Sequence, residues 1–343
     1  MSEPMAARRL AFGREPDRTL TVGRFQADLA RLCGPDGGPL LVAVSGGADS
    51  LALLLLAHAA KGGSLHVATI DHGLRKEAVA EAAMVAEVCG GLGVTHAVLA
   101  GALPPRAGRT ANLSARARAL RYRLLEEHRL ATGCGHVATA HHAEDQVETV
   151  ALRLNRGAGL AGLAGIRETT GRVVRPLLGW RRAELASLVA AAGLVPVRDP
   201  SNVDDRFDRA RLRKALPHAD WIDEDRWGRS AAALAEAEDA LAWAARRLGE
   251  ERIEEDRDGV TLTLAGEPPE ITRRLVADCL VRVDPLADVR GDELLRMTTR
   301  LRIVAPESGT VRSTLAGVMV AARAGEEGVV ARFERAPPRR SPR

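Results

Sequence analysis

The sequence predicts an α/β protein with a doubly wound parallel sheet, followed by a second, smaller α/β domain. Short apolar runs alternate with helical windows from about residue 21 to residue 195, a rhythm that produces a parallel sheet with helices on both faces. With 343 residues, of which 46% are hydrophobic, the chain can bury a sizeable core, and its length indicates about two domains.

The elements of the first sheet follow in a regular order. Strands are expected in the apolar runs 40–44, 65–70, 95–99 and 136–140, each bounded by glycine or polar residues. Helices are expected in the windows 48–60, 77–90, 112–131 and 143–154. Ligands of such sheets bind beyond the carboxyl ends of the strands, so the residues that follow each strand are the first candidates for a site.

The rest of the chain changes in character. A glycine-rich stretch, 155–171, leads to a helix at about 181–192 and then to a polar, highly charged segment, 197–214. A long helix, two shorter helices and a strand-like end complete the second domain. We therefore predict a flexible tail over 1–20, a first domain over 21–215, a second over 216–335 and a flexible tail over 336–343.

Several classes of protein are excluded by composition. The four cysteines include no CxxC pair, which argues against a disulfide framework, a zinc ribbon or an iron–sulfur site and fits a reducing cytoplasm. The longest unbroken apolar run, 51–57, is far shorter than the roughly 18 residues of a membrane span. The N-terminus has no apolar stretch after its arginines, so we expect a cytoplasmic protein without a signal peptide or membrane partner.

The positive charge is carried almost entirely by arginine. Lysine occurs only at positions 61, 76 and 214, and the pI is about 9.2. Arginine suits bidentate contacts with phosphate, which indicates an anionic partner. Codon bias in a chain rich in alanine and glycine is the alternative explanation.

The loop after the first strand has the chemistry of a phosphate cradle. Its glycines let a ligand approach the backbone, and its amides converge with the start of the next helix, a natural site for an anion. Ser45 and Ser50 add hydroxyl donors, whereas Asp49 makes sense if Mg²⁺ bridges it to phosphate. No Gly-Lys-Ser/Thr follows, so this is not a Walker A loop; an ordinary capped turn is the alternative. The predicted ATP-binding residues are Ser45, Gly46, Gly47, Ala48, Asp49 and Ser50.

The most polar stretch of the first domain, TAHHAEDQVET, follows the fourth strand at residues 139–149. Asp145 and Glu148 are three residues apart and share a helix face. A carboxylate pair there could bind a metal or an amino group, and His141 or His142 could polarise a phosphate or transfer a proton. A solvated helix face is the alternative for the carboxylates, and one of the two histidines is expected to have a structural role.

Two arginine clusters are candidates for contact with nucleic acid. The first helical row contains Arg116 and Arg123, two turns apart, and a second row contains Arg118 and Arg121. The charged segment 197–214 adds four more, mixed with acidic residues that suit ion pairs equally well: Arg206, Arg209, Arg211 and Arg213.

Together these stretches resemble a known family. SGGADS is similar to the signature of the PP-loop ATP pyrophosphatases, which split ATP between the α and β phosphates. The chain from about residue 40 to residue 213 resembles the tRNA(Ile)-lysidine synthetases, through these motifs: SGGADS, DHGLR (71–75), NLSARARALRY (112–122), ATAHHAEDQVET (138–149), RLNRGAGLAGLAG (153–165), RPLL (175–178) and DPSNVDDRFDRARLR (199–213). Glu144 and Ala210 depart from the family pattern, where a second aspartate and an asparagine are usual.

The resemblance implies a Rossmann-like PP-loop domain and a defined reaction. ATP adenylates the wobble cytidine of an isoleucine tRNA with a CAU anticodon, and free L-lysine then displaces AMP to form lysidine. Asp49, His141, Asp145 and Glu148 are the implied catalytic residues, with Asp49 and Asp145 on Mg²⁺.

The remaining implied roles concern the two substrates and the assembly. Asp145, Glu148 and Arg209 would bind lysine, and the second domain would associate with tRNA. Related enzymes are often dimeric, which leaves a homodimer open. The tRNA contacts are expected from Arg116, Arg123, Arg211 and Arg213.

Two other readings remain open from the residues alone. The chain could be another PP-loop enzyme, such as a tRNA thiolase or an amide-forming ligase, although no catalytic cysteine is evident. It could also be a nucleotide- or RNA-binding protein without activity. The acidic pair at the sheet edge argues against this last reading, because a protein that only binds anions gains nothing from carboxylates there.

Overall fold

The structure is a computed structural model of the chain, and it describes residues 15–35, 37–71, 73, 77–101, 113–197, 208–287, 289 and 291–337. The chain divides into two compact units between Ala235 and Glu236, within a long helix, whereas the sequence places the domain boundary at 215/216. Most of the tail predicted over 1–20 lies outside the described residues. Residues 15–20 of that segment are helical instead, as the start of the first helix.

The first unit alternates strands and helices as predicted. Its elements are α1 Glu15–Cys33, β1 Leu40–Ala43, α2 Ala48–Lys61, β2 Leu65–Asp71, α3 Glu77–Leu92, β3 Thr95–Ala100, α4 Leu113–Ala131, β4 His136–Ala138, α5 Ala143–Asn155, α6 Leu160–Leu163, β5 Thr169–Thr170, β6 Val173–Val174, α7 Arg182–Ala191, α8 Asp208–Ala215 and the start of α9 Glu224–Arg252. The charged segment 197–214 is thus partly helical, and its residues 198–207 lie outside the described part of the chain.

The first sheet has the order β3-β2-β1-β4-β6-β5, and all of its pairings are parallel except β5 with β6. The predicted α/β class with a parallel sheet is confirmed. From β1 the chain adds strands on one side and then returns to place β4 on the other. The carboxyl ends of β1 and β4 therefore form the topological switch point, where ligands of such sheets bind.

Alternating residues of β1 face two separate apolar layers. Leu40 and Val42 lie in the larger core cluster, while Leu41 packs on the opposite face against Leu125 of α4. Residues Ser50 to Ala57 of helix α2 are all buried, because α1 and α7 pack against the helix. Burial of α2 fixes the direction of the loop before it.

The second unit is a five-stranded antiparallel sheet with helices. It contains the rest of α9, β7 Ile253–Asp256, β8 Gly259–Leu264, α10 Pro269–Val283, α11 Gly291–Arg302, β9 Val311–Leu315, β10 Val318–Gly325 and β11 Gly328–Arg335, in the sheet order β7-β8-β11-β10-β9. Its core is its own, built around Leu262, Leu280 and Phe333, each fully buried. The predicted smaller α/β domain is confirmed. Of the tail predicted over 336–343, residues 338–343 are outside the described part.

Candidate active site

The loop between β1 and α2 has a shape that only glycine permits at its second position. Gly46 has φ +85°, and a Cβ there would lie 3.0 Å from the methyl carbon of Met84 and 3.2 Å from a methyl of Val197. The amide of Val197 donates to the Gly46 carbonyl at 2.9 Å, which ties the loop to the chain after α7. The loop is therefore fixed beside the chain after α7 and leads directly into the start of α2.

The two serines of the loop bond to the loop itself. Ser50 Oγ donates to the Gly47 carbonyl at 2.9 Å and accepts from the Ser45 amide at 3.2 Å. Ser50 is 7% exposed, so its hydroxyl serves to hold the cradle together. Among the residues predicted for ATP, Gly47 is the N-cap of α2 and Ala48 its first residue, so their amides lie at the helix N-terminus.

Asp49 has one oxygen without a partner. Its Oδ1 is buried and makes no hydrogen bond with any described residue, while Oδ2 lies 3.6 Å from His142 Nε2. A buried carboxylate oxygen with free lone pairs fits a cation ligand. The described residues contain no cluster of three or more histidine, cysteine or acidic side chains able to hold a metal. The single free carboxylate oxygen of Asp49 instead suits Mg²⁺, which binds through one or two carboxylates together with phosphates and water.

His142, for which the sequence leaves a catalytic or a structural role open, joins the loop before α2 to the start of α5. It caps α5, is 1% exposed, and its Nδ1 hydrogen-bonds with Glu144 Oε2 at 2.8 Å. Its Nε2 faces Asp49 and also Asp145, at 3.5 Å. Burial alone would lower the pKa of His142, but these three carboxylates outweigh it and raise the pKa to about 10. His142 is therefore a buried cation that links Asp49 to α5.

His141, predicted as catalytic, differs from His142 in its charge. Its Nδ1 hydrogen-bonds with Thr139 Oγ1 at 3.0 Å. Burial lowers the pKa of His141 to about 4; the charge of Asp145 opposes this effect, and Arg175 adds to it. The ring is neutral at physiological pH, so it can donate or accept a hydrogen bond without carrying charge.

Asp145 and Glu148 form a buried acidic pair, as their spacing predicts. They are 8% and 2% exposed, respectively. Arg209 of α8 bonds to both, with Nε 2.6 Å from Glu148 and an Nη 2.8 Å from Asp145. Arg213 repeats the pattern one turn later, at 2.6 Å and 3.2 Å. Burial would raise the pKa of Asp145, but His142 and Arg209 hold it below its usual range.

Arg213, which is predicted to contact tRNA, lies beside the acidic pair. The sequence assigns Arg213 to tRNA, whereas the structure places its guanidinium on the same carboxylates as Arg209. Of the other arginines predicted for tRNA, Arg211 is exposed and bonded to Asp208 at 2.5 Å, and Arg123 is exposed beside Glu127 at 3.8 Å. Arg116, on α4, is half-buried.

The glycine-rich segment packs directly under the acidic pair. Gln146, between Asp145 and Glu148, accepts from the Ile166 amide at 2.6 Å and donates to its carbonyl at 3.2 Å. Gly165 has φ +66°, and a Cβ there would lie 2.5 Å from Gln146 Oε1. The segment therefore needs glycine at 165 to support α5.

Sequence comparisons identify the family. Residues 23–219 match the PP-loop domain family. The tRNA(Ile)-lysidine synthase of Novosphingobium aromaticivorans is 44% identical over 93% of this chain and 95% of its own, and that of Zymomonas mobilis is 37% identical over 90% and 92%. The chain belongs to the tRNA(Ile)-lysidine synthase family.

A solved structure supports the fold of this family member. The U34-tRNA thiolase NcsA of Methanococcus maripaludis superposes with a TM-score of 0.50 at 15% identity, over 64% of this chain and 80% of that one. At such low identity the likeness concerns the PP-loop fold alone. No helix in the part of the chain that the structure describes is long and apolar enough to cross a membrane.

Glu144, which departs from the usual family pattern, has a structural explanation. Its carboxylate accepts from His142 Nδ1 and from the backbone amide of Arg182 at 3.0 Å. The pKa of Glu144 is lowered by these donors despite burial. The longer side chain reaches the start of α7 and the ring of His142 at once. The contacts of His142 and Glu144 could not be predicted from the sequence, because they depend on burial and on the position of α7.

Proposed function

We propose that this chain ligates L-lysine to the wobble cytidine of tRNA(Ile) with a CAU anticodon, in two steps. In the first, the oxygen at position 2 of the cytosine attacks the α phosphate of ATP, which releases pyrophosphate and leaves an adenylated tRNA. In the second, the ε-amine of lysine displaces AMP. The observation that carries the proposal is the buried Asp145–Glu148 pair next to the loop that bears Asp49, in a member of this family.

The loop over 45–50 is proposed to hold ATP. Its amides and the N-terminus of α2 suit phosphate oxygens, and the neutral ring of His141 suits a hydrogen bond to the phosphate or adenylate. Asp49 Oδ1 is the group free to bind Mg²⁺, which would neutralise the charge of the pyrophosphate that leaves. Both oxygens of Asp145, also predicted as a metal ligand, already have partners, so Asp49 is the better candidate.

The acidic pair is proposed to bind the ammonium group of lysine. Asp145 and Glu148 can accept from a cation, but Arg209 and Arg213 occupy their oxygens in the structure described here. Lysine must therefore share these acceptors or displace a guanidinium. Arg209, 45% exposed, has more freedom to move than Arg213, 23% exposed, and could instead pair with the carboxylate of lysine.

The cysteines weigh against the rival reading as a thiolase. Burial raises the pKa of Cys89 to about 11 and that of Cys279 to about 12, and it also raises the pKa of Cys33. Cys134 is buried beside Thr132. Sulfur transfer needs a reactive thiolate, which burial in an apolar setting disfavours.

The proposal is tested by analysing nucleosides of a modified tRNA. The purified protein is incubated with ATP, Mg²⁺, lysine and a tRNA(Ile) transcript with a CAU anticodon, and the digest is examined by mass spectrometry. The expected product is a cytidine heavier by one lysine residue, formed only with ATP. A transcript with a GAU anticodon is the matched control. Release of pyrophosphate without lysine incorporation would contradict the choice of amine. The absence of both pyrophosphate and modified cytidine would contradict the proposal as a whole.

A further inference from the structure

Arg175 is a buried cation at the edge of the sheet where the candidate active site lies. It directly follows β6 and is only 5% exposed. Strand β6 pairs in parallel with β4, with Val174 opposite Ala138, so Arg175 comes next to Thr139 in the same register. The carboxyl ends of parallel strands share one edge of a sheet. Arg175 therefore lies beside the end of β4, from which His141 and α5 follow.

Only one guanidinium nitrogen of Arg175 has a partner among the residues that the structure describes. Nη1 donates to the Arg167 carbonyl at 2.6 Å and to Thr170 Oγ1 at 3.1 Å. Nε is buried without a hydrogen bond, and no described residue accepts from Nη2. Nε and Nη2 form one edge of the planar group, which is an arrangement of donors that a carboxylate accepts in a bidentate pair.

Other largely buried arginines have acidic partners. Arg129 bonds to Glu126 at 2.7 Å, and Arg274 bonds to Glu238 at 2.6 Å. No carboxylate of the described residues pairs with Arg175. Burial removes a cation from water, and this cost is offset only if an anion pairs with it. Arg175 therefore needs an anion that comes from outside the described part of the chain.

Arg175 also lies on the side of the sheet that bears His141. Residues paired across neighbouring strands point to the same face, and Val174 and Ala138 both lie in the larger core cluster. Arg175 and Thr139 therefore point to the opposite face. Thr139 Oγ1 hydrogen-bonds with His141 Nδ1 at 3.0 Å. The charge of Arg175 reaches this ring, because it adds to the effect of burial in lowering the pKa of His141.

The order of the strands indicates which anion of the substrates binds there. Strands β1, β4 and β6 are neighbours in this order, and they lead to the loop over 45–50, to the acidic pair and to Arg175, respectively. The phosphate loop and Arg175 thus lie on opposite sides of β4. Neighbouring strands are roughly 4.8 Å apart, a step that an extended lysine can span from the acidic pair. The position of Arg175 therefore favours a carboxylate of the amino acid over a phosphate of ATP.

We propose that Arg175 binds the α-carboxylate of lysine while Asp145 and Glu148 hold an ammonium group of the same molecule. The inference rests on the proposed function, which supplies lysine as the ligand. Arg209, the other candidate for this carboxylate, already bonds to both acids. Arg175 and the acidic pair together would recognise an amino acid by both of its charges, and a diamine without a carboxylate would lose one of the two contacts.

The test compares lysine with L-lysinamide, which has nearly the same shape but carries a neutral amide in place of the carboxylate. Titration calorimetry should show that the unaltered protein binds lysine about 10- to 100-fold more tightly, the factor expected for hydrogen bonds between charged groups. Arg175→Gln should weaken the binding of lysine by this factor and leave that of lysinamide unchanged. Arg175→Lys keeps the positive charge but loses the bidentate geometry, so it should retain part of the preference for lysine.

Arg129→Gln is the matched control. It also removes a largely buried arginine, but at the amino end of β4, where Arg129 donates to the Cys134 carbonyl. This variant should bind both ligands as the unaltered protein does.

Three results would overturn the proposal. The first, equal affinity of the unaltered protein for lysine and lysinamide, needs no variant and so does not depend on whether a variant folds. The second is an equal loss of both ligands in Arg175→Gln, which would leave Arg175 as a support of the β5–β6 hairpin. The third is weaker binding of ATP in Arg175→Gln with an unchanged preference for lysine, which would assign Arg175 to a phosphate.

The two proposals fail in different ways. If lysine is preferred over lysinamide through Arg175 but is not added to the transcript, the proposed reaction fails and the carboxylate site stands. If lysine is added and Arg175→Gln keeps the preference, only the carboxylate site fails. A protein that binds neither lysine nor lysinamide overturns both.

Discussion

His141 and His142 are neighbours in the chain, yet their pKa values lie on opposite sides of neutrality. Burial keeps His141 uncharged, with a pKa of about 4, whereas three carboxylates hold His142 as a cation, with a pKa of about 10. The site therefore contains a neutral ring, His141, that can form a hydrogen bond with a ligand. It also contains a charged ring, His142, that interacts with neighbouring carboxylates of the protein. His142 thus stabilises the fold at the point where Asp49 and Asp145 meet.

The charge of His142 predicts how stability depends on pH. Because the folded pKa is raised above the unfolded value of about 6.5, the stabilisation is fully present below about pH 6.5 and is lost as the pH rises through about 10. The difference in unfolding free energy between the unaltered protein and His142→Gln should therefore shrink between pH 7 and about 10, measured by urea titration without nucleotide. His58→Gln is the control: burial lowers its pKa, so its effect should be constant over this range.

Asp49 and Glu148 predict a separation of the two chemical steps. Asp49→Asn removes the free carboxylate oxygen proposed for Mg²⁺, so pyrophosphate release should fall at least about 100-fold. Glu148→Gln keeps the shape of a buried acceptor but loses its charge. It should raise the KM for lysine about 10- to 100-fold, as expected for loss of a charged hydrogen bond of about 1.5–3 kcal/mol, and should largely preserve adenylation.

Measurement of pyrophosphate release and lysine incorporation for both variants separates these effects. Glu127→Gln, exposed on α4, is a control for loss of one carboxylate. Normal pyrophosphate release in Asp49→Asn would remove Asp49 from the nucleotide site. An unchanged KM for lysine in Glu148→Gln would remove the acidic pair from the lysine site.

Residue type and position relative to the strands were enough to identify Asp49, Asp145 and Glu148 as neighbours. Each follows a strand that the apolar pattern predicts, and carboxyl ends of parallel strands share an edge. The pairing of Arg213 with these carboxylates could not be predicted, because α8 follows a charged segment with no apolar period. The sequence offered only the i, i+4 spacing of Arg209 and Arg213, which is equally typical of a solvated helix face.

Among the secondary-structure elements, the long and periodic ones were predicted almost to the residue. Helices α2 and α5 and strands β1 to β4 differ from the expected ranges by a few positions at most. The short hairpin of β5 and β6 was not predicted, because two residues per strand carry no period. The β7–β8 hairpin was also missed, although its two-residue turn, Arg257-Asp258, directly precedes the glycine that begins β8, and an Asp-Gly pair is a typical hairpin signal. Residues typical of turns, more than the spacing of apolar residues, would therefore have allowed the remaining strands of the second sheet to be predicted.

The glycine-rich segment supports α5 through a contact that can be tested. Gly165→Ala adds the cost of a left-handed alanine, about 1–2 kcal/mol, and a further 1–3 kcal/mol, roughly, for crowding Gln146, whose oxygen would be 2.5 Å from the new Cβ. Gly157→Ala is a matched control in the same segment, since Gly157 has φ +69° and open space around it. Unfolding free energies should show a larger loss for Gly165→Ala, and equal losses would exclude the Gln146 contact as its cause.

At the scale of the whole molecule, each unit has core residues of its own. The first unit has two apolar clusters, and the larger one includes Leu53 of α2; the core of the second unit includes Leu280 of α10, and both side chains are fully buried. No cluster contains residues of both units, so each unit has its own hydrophobic driving force for folding. The candidate active site depends on the core of the first unit.

Two separate cores predict two separable unfolding transitions. Leu53→Ala and Leu280→Ala should each cost about 2–5 kcal/mol, because each leaves a cavity in a packed interior. In calorimetry we expect each variant to lower one transition and leave the other in place. Above the temperature of its lowered transition, Leu280→Ala should bind tRNA more weakly. ATP should still raise the temperature of the other transition, the one that Leu53→Ala lowers. A single transition lowered equally by both variants would mean that the two cores fold as one cooperative unit.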